Sequence, residues 1–169
     1  MCLIYVEAQQ EDGKFSKILV AIDGSAASMK AAEFAITMAN KERSEQSKES
    51  GSELVALTVL DVSKPRGLLS SFIAAPTYGL KELEQERNEA KQWMENLRQK
   101  AEEKKVAFRS EIIEGILSAE ATIIDYAESH NINLIVVGTK GRSGFSRVLL
   151  GSVASKVVTY AHCPVLVVK

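Results

Sequence analysis

Four short, uninterrupted apolar runs constrain this chain more than any other feature: "KILVAI" (17–22), "ELVALTVL" (53–60), "NLIVVG" (133–138) and "PVLVV" (164–168). Runs of this length, rich in β-branched residues, point to strands buried on both faces, the pattern of a parallel sheet. A fifth run, "VAFRSEII" (106–113), alternates more and reads as a strand at the sheet edge. Helical spacing fills the gaps. In 25–42, Ala27, Ala31, Phe34, Ala35 and Met38 fall on one stripe, and in 80–105 Leu83, Ala90, Met94, Leu97 and Ala101 do the same. Residues 118–131 and 152–161 complete the set. The order β-α-β-α-β-α-β-α-β predicts an α/β layer fold with a mostly parallel sheet.

The same pattern limits the rest. A length of 169 residues suits one domain with a sizeable core; we expect it to span 17–169, with 1–16 as an N-terminal extension. That extension is either without fixed structure, or its "CLIYV" adds an edge strand to a partner. A net charge of −1 argues against nucleic-acid binding through a broad basic face. The two cysteines, Cys2 and Cys163, lie far apart, so a reducing compartment fits better than a structural disulfide. The N-terminal apolar run is too short and wrongly flanked for a signal peptide, and no run approaches the ~18 residues of a membrane helix. The expectation is a soluble, cytoplasmic protein with no membrane partner. Two stretches fall outside the elements. Residues 41–52 are polar, and 62–79 mix Pro and Gly with Leu68, Leu69, Phe72 and Ile73. The second reads as a long loop, which either covers a ligand or partner or folds onto its own surface.

Glycine usage marks a site. Of 10 glycines, four (Gly138, Gly141, Gly144 and Gly151) fall in "GTKGRSGFSRVLLGS", between the end of a buried strand and the start of a helix. Such a cluster needs a sharp turn or a close approach to the backbone. Ligands of open α/β sheets bind beyond the carboxyl ends of the strands, and a helix N-terminus offers unpaired N–H groups and a positive dipole end to phosphate. Ser152 adds a hydroxyl donor. Lys140, Arg142 and Arg147 add local cations, with Lys140 and Arg142 the better candidates for phosphate. Neither a Walker A loop nor G-x-G-x-x-G is present.

The spacing is G-x2-G-x9-G-S, through Gly138, Gly141, Gly151 and Ser152. Together with "ILVAIDGS", "TVLDV", "GILSAEATIIDYAESHNINLIVVGTKGRSG" and "LLGSVASKVVTYAHCPVLVVK", it resembles the universal stress protein family over roughly 17–169. One departure is Leu117, where related sequences often have Pro. The resemblance implies a five-stranded parallel sheet of order 3-2-1-4-5 sandwiched by helices, the adenine nucleotide alpha hydrolase-like fold. It also implies a homodimer paired through the last strand, and membership of the subgroup that binds ATP. On that footing Gly138, Thr139, Lys140, Gly141, Arg142, Ser143 and Gly144 wrap ribose and phosphates. Gly151, Ser152, Val153 and Ala154 supply main-chain and hydroxyl contacts. Asp23 accepts from the ribose, Ala21 and Ile22 line the base, and Val59 meets the adenine edge through its backbone.

Competing readings of single residues remain open. Asp23 could instead cap the helix starting near Ser25. His130 suits a helix C-terminal contact and Cys163 a small buried hydrophobe, while Trp93 suits packing or partner contact. The histidines and cysteines do not make a zinc site, and neither a catalytic nor a metal-binding residue is assigned. The function expected is a regulatory ATP-binding protein of the stress response, with magnesium optional and AMP or cyclic AMP still open. The competitors are a slow ATPase and a structural or chaperone-like dimer with a vestigial site.

Overall fold

The computed structural model describes residues 3–5, 15–41, 52–62, 76–142 and 150–169. Its strands are β1 (Leu3–Tyr5), β2 (Lys17–Ala21), β3 (Glu53–Asp61), β4 (Ala107–Gly115), β5 (Leu134–Gly138) and β6 (Val165–Val168). Its helices are α1 (Ala26–Lys41), α2 (Pro76–Glu103), α3 (Ala119–Ser129) and α4 (Ser152–Tyr160). The sheet has six strands in the order β1-β6-β5-β2-β3-β4. Counted from β2, the five parallel strands run 3-2-1-4-5, as the resemblance implied. The alternating run indeed lies at an edge, as β4.

Residue alternation along the strands divides the core into two faces. Ile18, Val20, Leu54, Val136 and Leu166 pack with Ala31, Ala35 and Ile36 of α1 and Met94 and Leu97 of α2. Leu19, Val55, Ile135 and Val165 pack with Ile123 and Tyr126 of α3 and Val157 of α4. Two helices thus cover each face, and strands wholly buried between them account for the unbroken apolar runs. Leu97 is fully buried, and truncation to Ala would cost about 2–5 kcal/mol. No helix among the described residues is long and apolar enough to cross a membrane.

Three expectations need correction. The buried face of α1 is Ser28, Ala31, Ala32, Ala35, Ile36 and Ala39, whereas Phe34 is 40% exposed. Neighbouring alanines let α1 approach the sheet closely, so the large side chain belongs on the rim rather than the stripe. Helix α2 starts at Pro76, so the end of the predicted 62–79 loop is helical, with Pro at the first helical position. The rest of that loop, 63–75, and most of the polar stretch, 42–51, lie outside the described residues. Finally, β1 pairs antiparallel with β6 of its own chain, Leu3 opposite Val167 and Tyr5 opposite Val165. The N-terminal segment therefore covers the very edge of β6 expected to pair with a second copy.

Candidate functional site

A crevice of about 320 Å³ opens beyond the carboxyl ends of β2 and β5. These are neighbours in the sheet whose chains leave toward different elements, which makes this a topological switch point. Its floor is apolar: Ala21, Ile22, Leu57, Val59 and Val137 come from strand ends, Ala119 and Ile123 from α3. Its rim is polar, built from Asp23, Ser28, Gly138, Thr139, Lys140, Gly141 and Arg142, and closed by Gly151, Ser152, Val153 and Ala154 at the start of α4.

Asp23 organises one wall. Its Oδ1 accepts from the backbone N–H of Ser25 at 3.0 Å and from the Ser25 hydroxyl at 2.6 Å. Its Oδ2 accepts the backbone N–H of Arg142 at 3.0 Å. The Ser25 hydroxyl also reaches the Lys140 carbonyl at 3.2 Å. Both readings of Asp23 therefore meet in one place: it ties down the turn before α1 and lines the crevice. Of roughly four acceptor positions on a carboxylate, three are engaged, leaving one for a ligand hydroxyl.

The glycines answer to the fold's own close approaches. A Cβ on Gly138 would stand 2.7 Å from the Ala27 carbonyl carbon and 2.8 Å from the Ser28 nitrogen, because α1 begins directly against the end of β5. A Cβ on Gly141 would stand 2.7 Å from Asp23 Oδ2. One on Gly151 would be 3.3 Å from the Thr139 carbonyl oxygen, which accepts the Gly151 N–H at 2.7 Å. That last bond sutures the two ends of the glycine segment together. Among the described glycines the positive φ belongs elsewhere, to Gly24 at +78°, where Trp93 ring atoms come within 2.3 Å of a would-be Cβ.

At the α4 start, Gly151 is extended (φ −68°, ψ 161°), and as a glycine it has no side chain with which to cap the helix. The first N–H groups of a helix have no acceptor within it. The first bond of this kind is donated by Ser155 to the Gly151 carbonyl, at 2.9 Å. The donors of Ser152, Val153 and Ala154 thus stand at the crevice with the Ser152 hydroxyl and the helix dipole. The arrangement offers an anion-binding rim over an apolar floor.

Every proposed binding residue among the described ones lines this crevice; Ser143 and Gly144 lie outside the described residues, as does Arg147. Sequence reasoning missed Ser28, Leu57, Ala119, Ile123 and Val137. Leu57 and Val137 had a signal, being strand neighbours of residues already chosen; Ala119 and Ile123 had none, since they arrive from a helix distant in sequence. Outside the crevice, His130 ends α3, stacked on Tyr126 at 3.9 Å with Nδ1 2.9 Å from the Tyr126 carbonyl. His162 Nε2 lies 3.2 Å from the Ile132 carbonyl. Cys163 is a free thiol packed on the core, and burial pushes its pKa up to about 11. Trp93 packs between Gly24 and Arg142, beside the site.

Comparison with known proteins places this geometry. The model of the universal stress protein family matches residues 14–169. The chain belongs to that family. It is 39% identical over 157 residues to the universal stress protein MJ0531 of Methanocaldococcus jannaschii, covering 92% of this chain and 82% of that one. It superposes on the universal stress protein UspA of Lactobacillus plantarum with a TM-score of 0.79 at 31% identity, covering 94% of this chain and all of the other. A family protein of Arabidopsis thaliana, solved with AMP bound, shares the fold at a TM-score of 0.61 and 18% identity, with 91% of each chain covered.

Proposed function

We propose that this universal stress protein is a regulatory adenine-nucleotide-binding protein and that ATP is its ligand. The observation that carries the reading is the α4 start: N–H donors left uncapped by Gly151, and the Ser152 hydroxyl, open onto the same crevice as Lys140 and Arg142, above an apolar floor. In this reading the base lies on Ala21, Ile22 and Val59, and the ribose donates to the remaining acceptor position of Asp23. The phosphates run along Gly138 to Arg142 toward Gly151, Ser152, Val153 and Ala154. The volume of about 320 Å³ falls within the range of small-molecule sites. The Arabidopsis relative with AMP supports the chemical class. If magnesium accompanies ATP, Asp23 is the carboxylate at hand among the described lining residues. Regulation follows if bound and free forms differ in conformation or partner, which requires the ligand to bind two states unequally.

The same reading places the protein in the cytoplasm as a homodimer through β6, subject to one condition: β1 covers that edge, so a second β6 reaches it only after β1 leaves. The test is calorimetric titration with ATP, ADP, AMP and cyclic AMP, repeated on Ser152→Ala. We expect one site per chain with ATP favoured. Loss of a hydrogen bond to a charged group should weaken ATP by about 1.5–3 kcal/mol, on the order of ten- to a hundredfold. Absence of binding by all four nucleotides, or equal affinity in Ser152→Ala, would defeat the reading.

A further inference from the structure

Trp93, the one tryptophan of the chain, follows Glu89 by four residues on α2, so both occupy one helix face. One side of its ring lies against Gly24, and the Arg142 guanidinium carbon stands 5.5 Å from the ring centroid. The same guanidinium donates to Glu89 Oε2 at 3.2 Å. Arg142 is thus held at both ends. Its backbone N–H is fixed to Asp23 on the crevice wall, and its side chain rests on α2.

We infer that Arg142 is a two-position residue through which α2 senses occupancy of the crevice. Without ligand, its guanidinium is parked on Glu89 and Trp93; the phosphates of a bound nucleotide draw it off. The inference rests on the nucleotide reading above and adds a positioning residue and a sensor to it.

The energetics favour exchange. The Arg142 side chain is 53% exposed and that of Glu89 35%, so water screens the parked pair and its hold is weak. A cation over an exposed aromatic ring is similarly modest. A phosphate presents several anionic oxygens to the planar guanidinium fork, and such bidentate pairs are the stronger kind. No main-chain movement is needed, because the Asp23 bond holds the backbone while the side chain turns. Arg142 already lines the crevice. Departure of the guanidinium removes one tether between α2 and the glycine segment, and it changes the surroundings of Trp93. A nucleoside without phosphate has nothing to draw Arg142 away.

The experiment follows Trp93 emission in the full chain during titration with ATP and with adenosine, alongside calorimetry on the same samples. We expect ATP to shift the emission with the calorimetric affinity, and adenosine to bind without shifting it. Arg142→Ala without ligand should move the emission in the direction that ATP does. Glu89→Gln removes the competing carboxylate from a half-exposed position. It should tighten ATP up to about fivefold, the equivalent of roughly 1 kcal/mol, and leave adenosine unchanged. Calorimetric ATP binding with unchanged emission and unchanged Glu89→Gln affinity overturns the inference while the nucleotide reading stands. So does weaker ATP binding by Glu89→Gln, which would make Glu89 an organiser of the loop rather than a competitor. Equal emission shifts with adenosine and ATP overturn it as well. No ATP binding by calorimetry overturns the nucleotide reading and the sensor together.

Discussion

Two glycines of the same motif should respond differently to the same added methyl group. In Gly138→Ala the new Cβ meets backbone atoms, the Ala27 carbonyl carbon at 2.7 Å and the Ser28 nitrogen at 2.8 Å. Neither can rotate away, so α1 must lift from the end of β5 or the strand must bend. Overpacking of this kind costs about 1–3 kcal/mol. For a domain of this size each kcal/mol lowers the melting temperature by about 2–4 °C, so a loss of roughly 2–12 °C is expected. In Gly141→Ala the contact at 2.7 Å is Asp23 Oδ2, the tip of a side chain that can turn. Turning costs the bond to the Arg142 N–H, about 1 kcal/mol at an exposed site, or roughly 2–4 °C. Ligand affinity should reverse the order: Gly141→Ala disturbs the wall that holds Asp23 and Arg142 in place, and should bind ATP more weakly than Gly138→Ala does. Calorimetric melting with and without ATP measures both. Equal destabilisation by the two substitutions, or an unaffected Gly138→Ala, would refute the assignment of these glycines to close approaches.

Gly24→Ala combines a strained φ of +78° with a Cβ 2.3 Å from the Trp93 ring; it should displace Trp93, destabilise by about 1–3 kcal/mol and shift tryptophan emission. Deleting residues 1–14 removes β1 and uncovers β6, so sedimentation should show more self-association than in the full chain; unchanged sedimentation would mean that β1 does not guard this edge. In a Cys2→Ser background, the raised pKa of about 11 makes Cys163 mostly thiol at pH 8, and alkylation should run on the order of a hundredfold slower than for a free thiol. Because that pKa lies above the unfolded value of about 8.5, the thiol favours folding below pH ~8.5, and this contribution is lost as pH rises toward 11. ATP turnover should stay far below the ~10 s⁻¹ of an ordinary enzyme, and sustained turnover at that rate would reveal a catalytic group in the crevice.

What was legible in the sequence follows one physical line. Strands buried on both faces must be apolar throughout, so β2, β3, β5 and β6 announced themselves, and β4 revealed its edge position by alternating. The stripe on α1 was misread because close helix-to-sheet packing uses Ala and Ser, which carry little hydrophobic signal, while Phe34 looked like core. The pairing of β1 with β6 was not legible, since a strand of three residues has no period to read and its partner is at the other end of the chain. The crevice was found by adjacency to strand ends. What that adjacency could not supply was the α3 contribution, Ala119 and Ile123, or the stacking of Trp93 on Gly24 beneath Arg142.

The glycine spacing located the crevice for a reason different from the one that makes it attractive to phosphate. Gly138 admits α1 against β5, Gly141 admits the Asp23 carboxylate, and Gly151 brings the α4 start back to Thr139. Each contact would be needed by an empty site as much as by a filled one, so the three glycines are evidence of close packing before they are evidence of a ligand. The groups that the fold does not consume carry the functional argument instead. They are the leading N–H donors of α4 and the Ser152 hydroxyl, at a helix start where the N-cap is a glycine. With them stand one acceptor position on Asp23 and an Arg142 side chain whose contacts among the described residues are weak and exposed. Ends held this close set those groups in place ahead of any ligand, and a preorganised anion site costs little further ordering when phosphate arrives. Substitutions at the glycines therefore test the frame, whereas Ser152→Ala and Glu89→Gln test what the frame holds. Only the second pair can separate a nucleotide-binding protein from a family member that keeps the loop for its own stability.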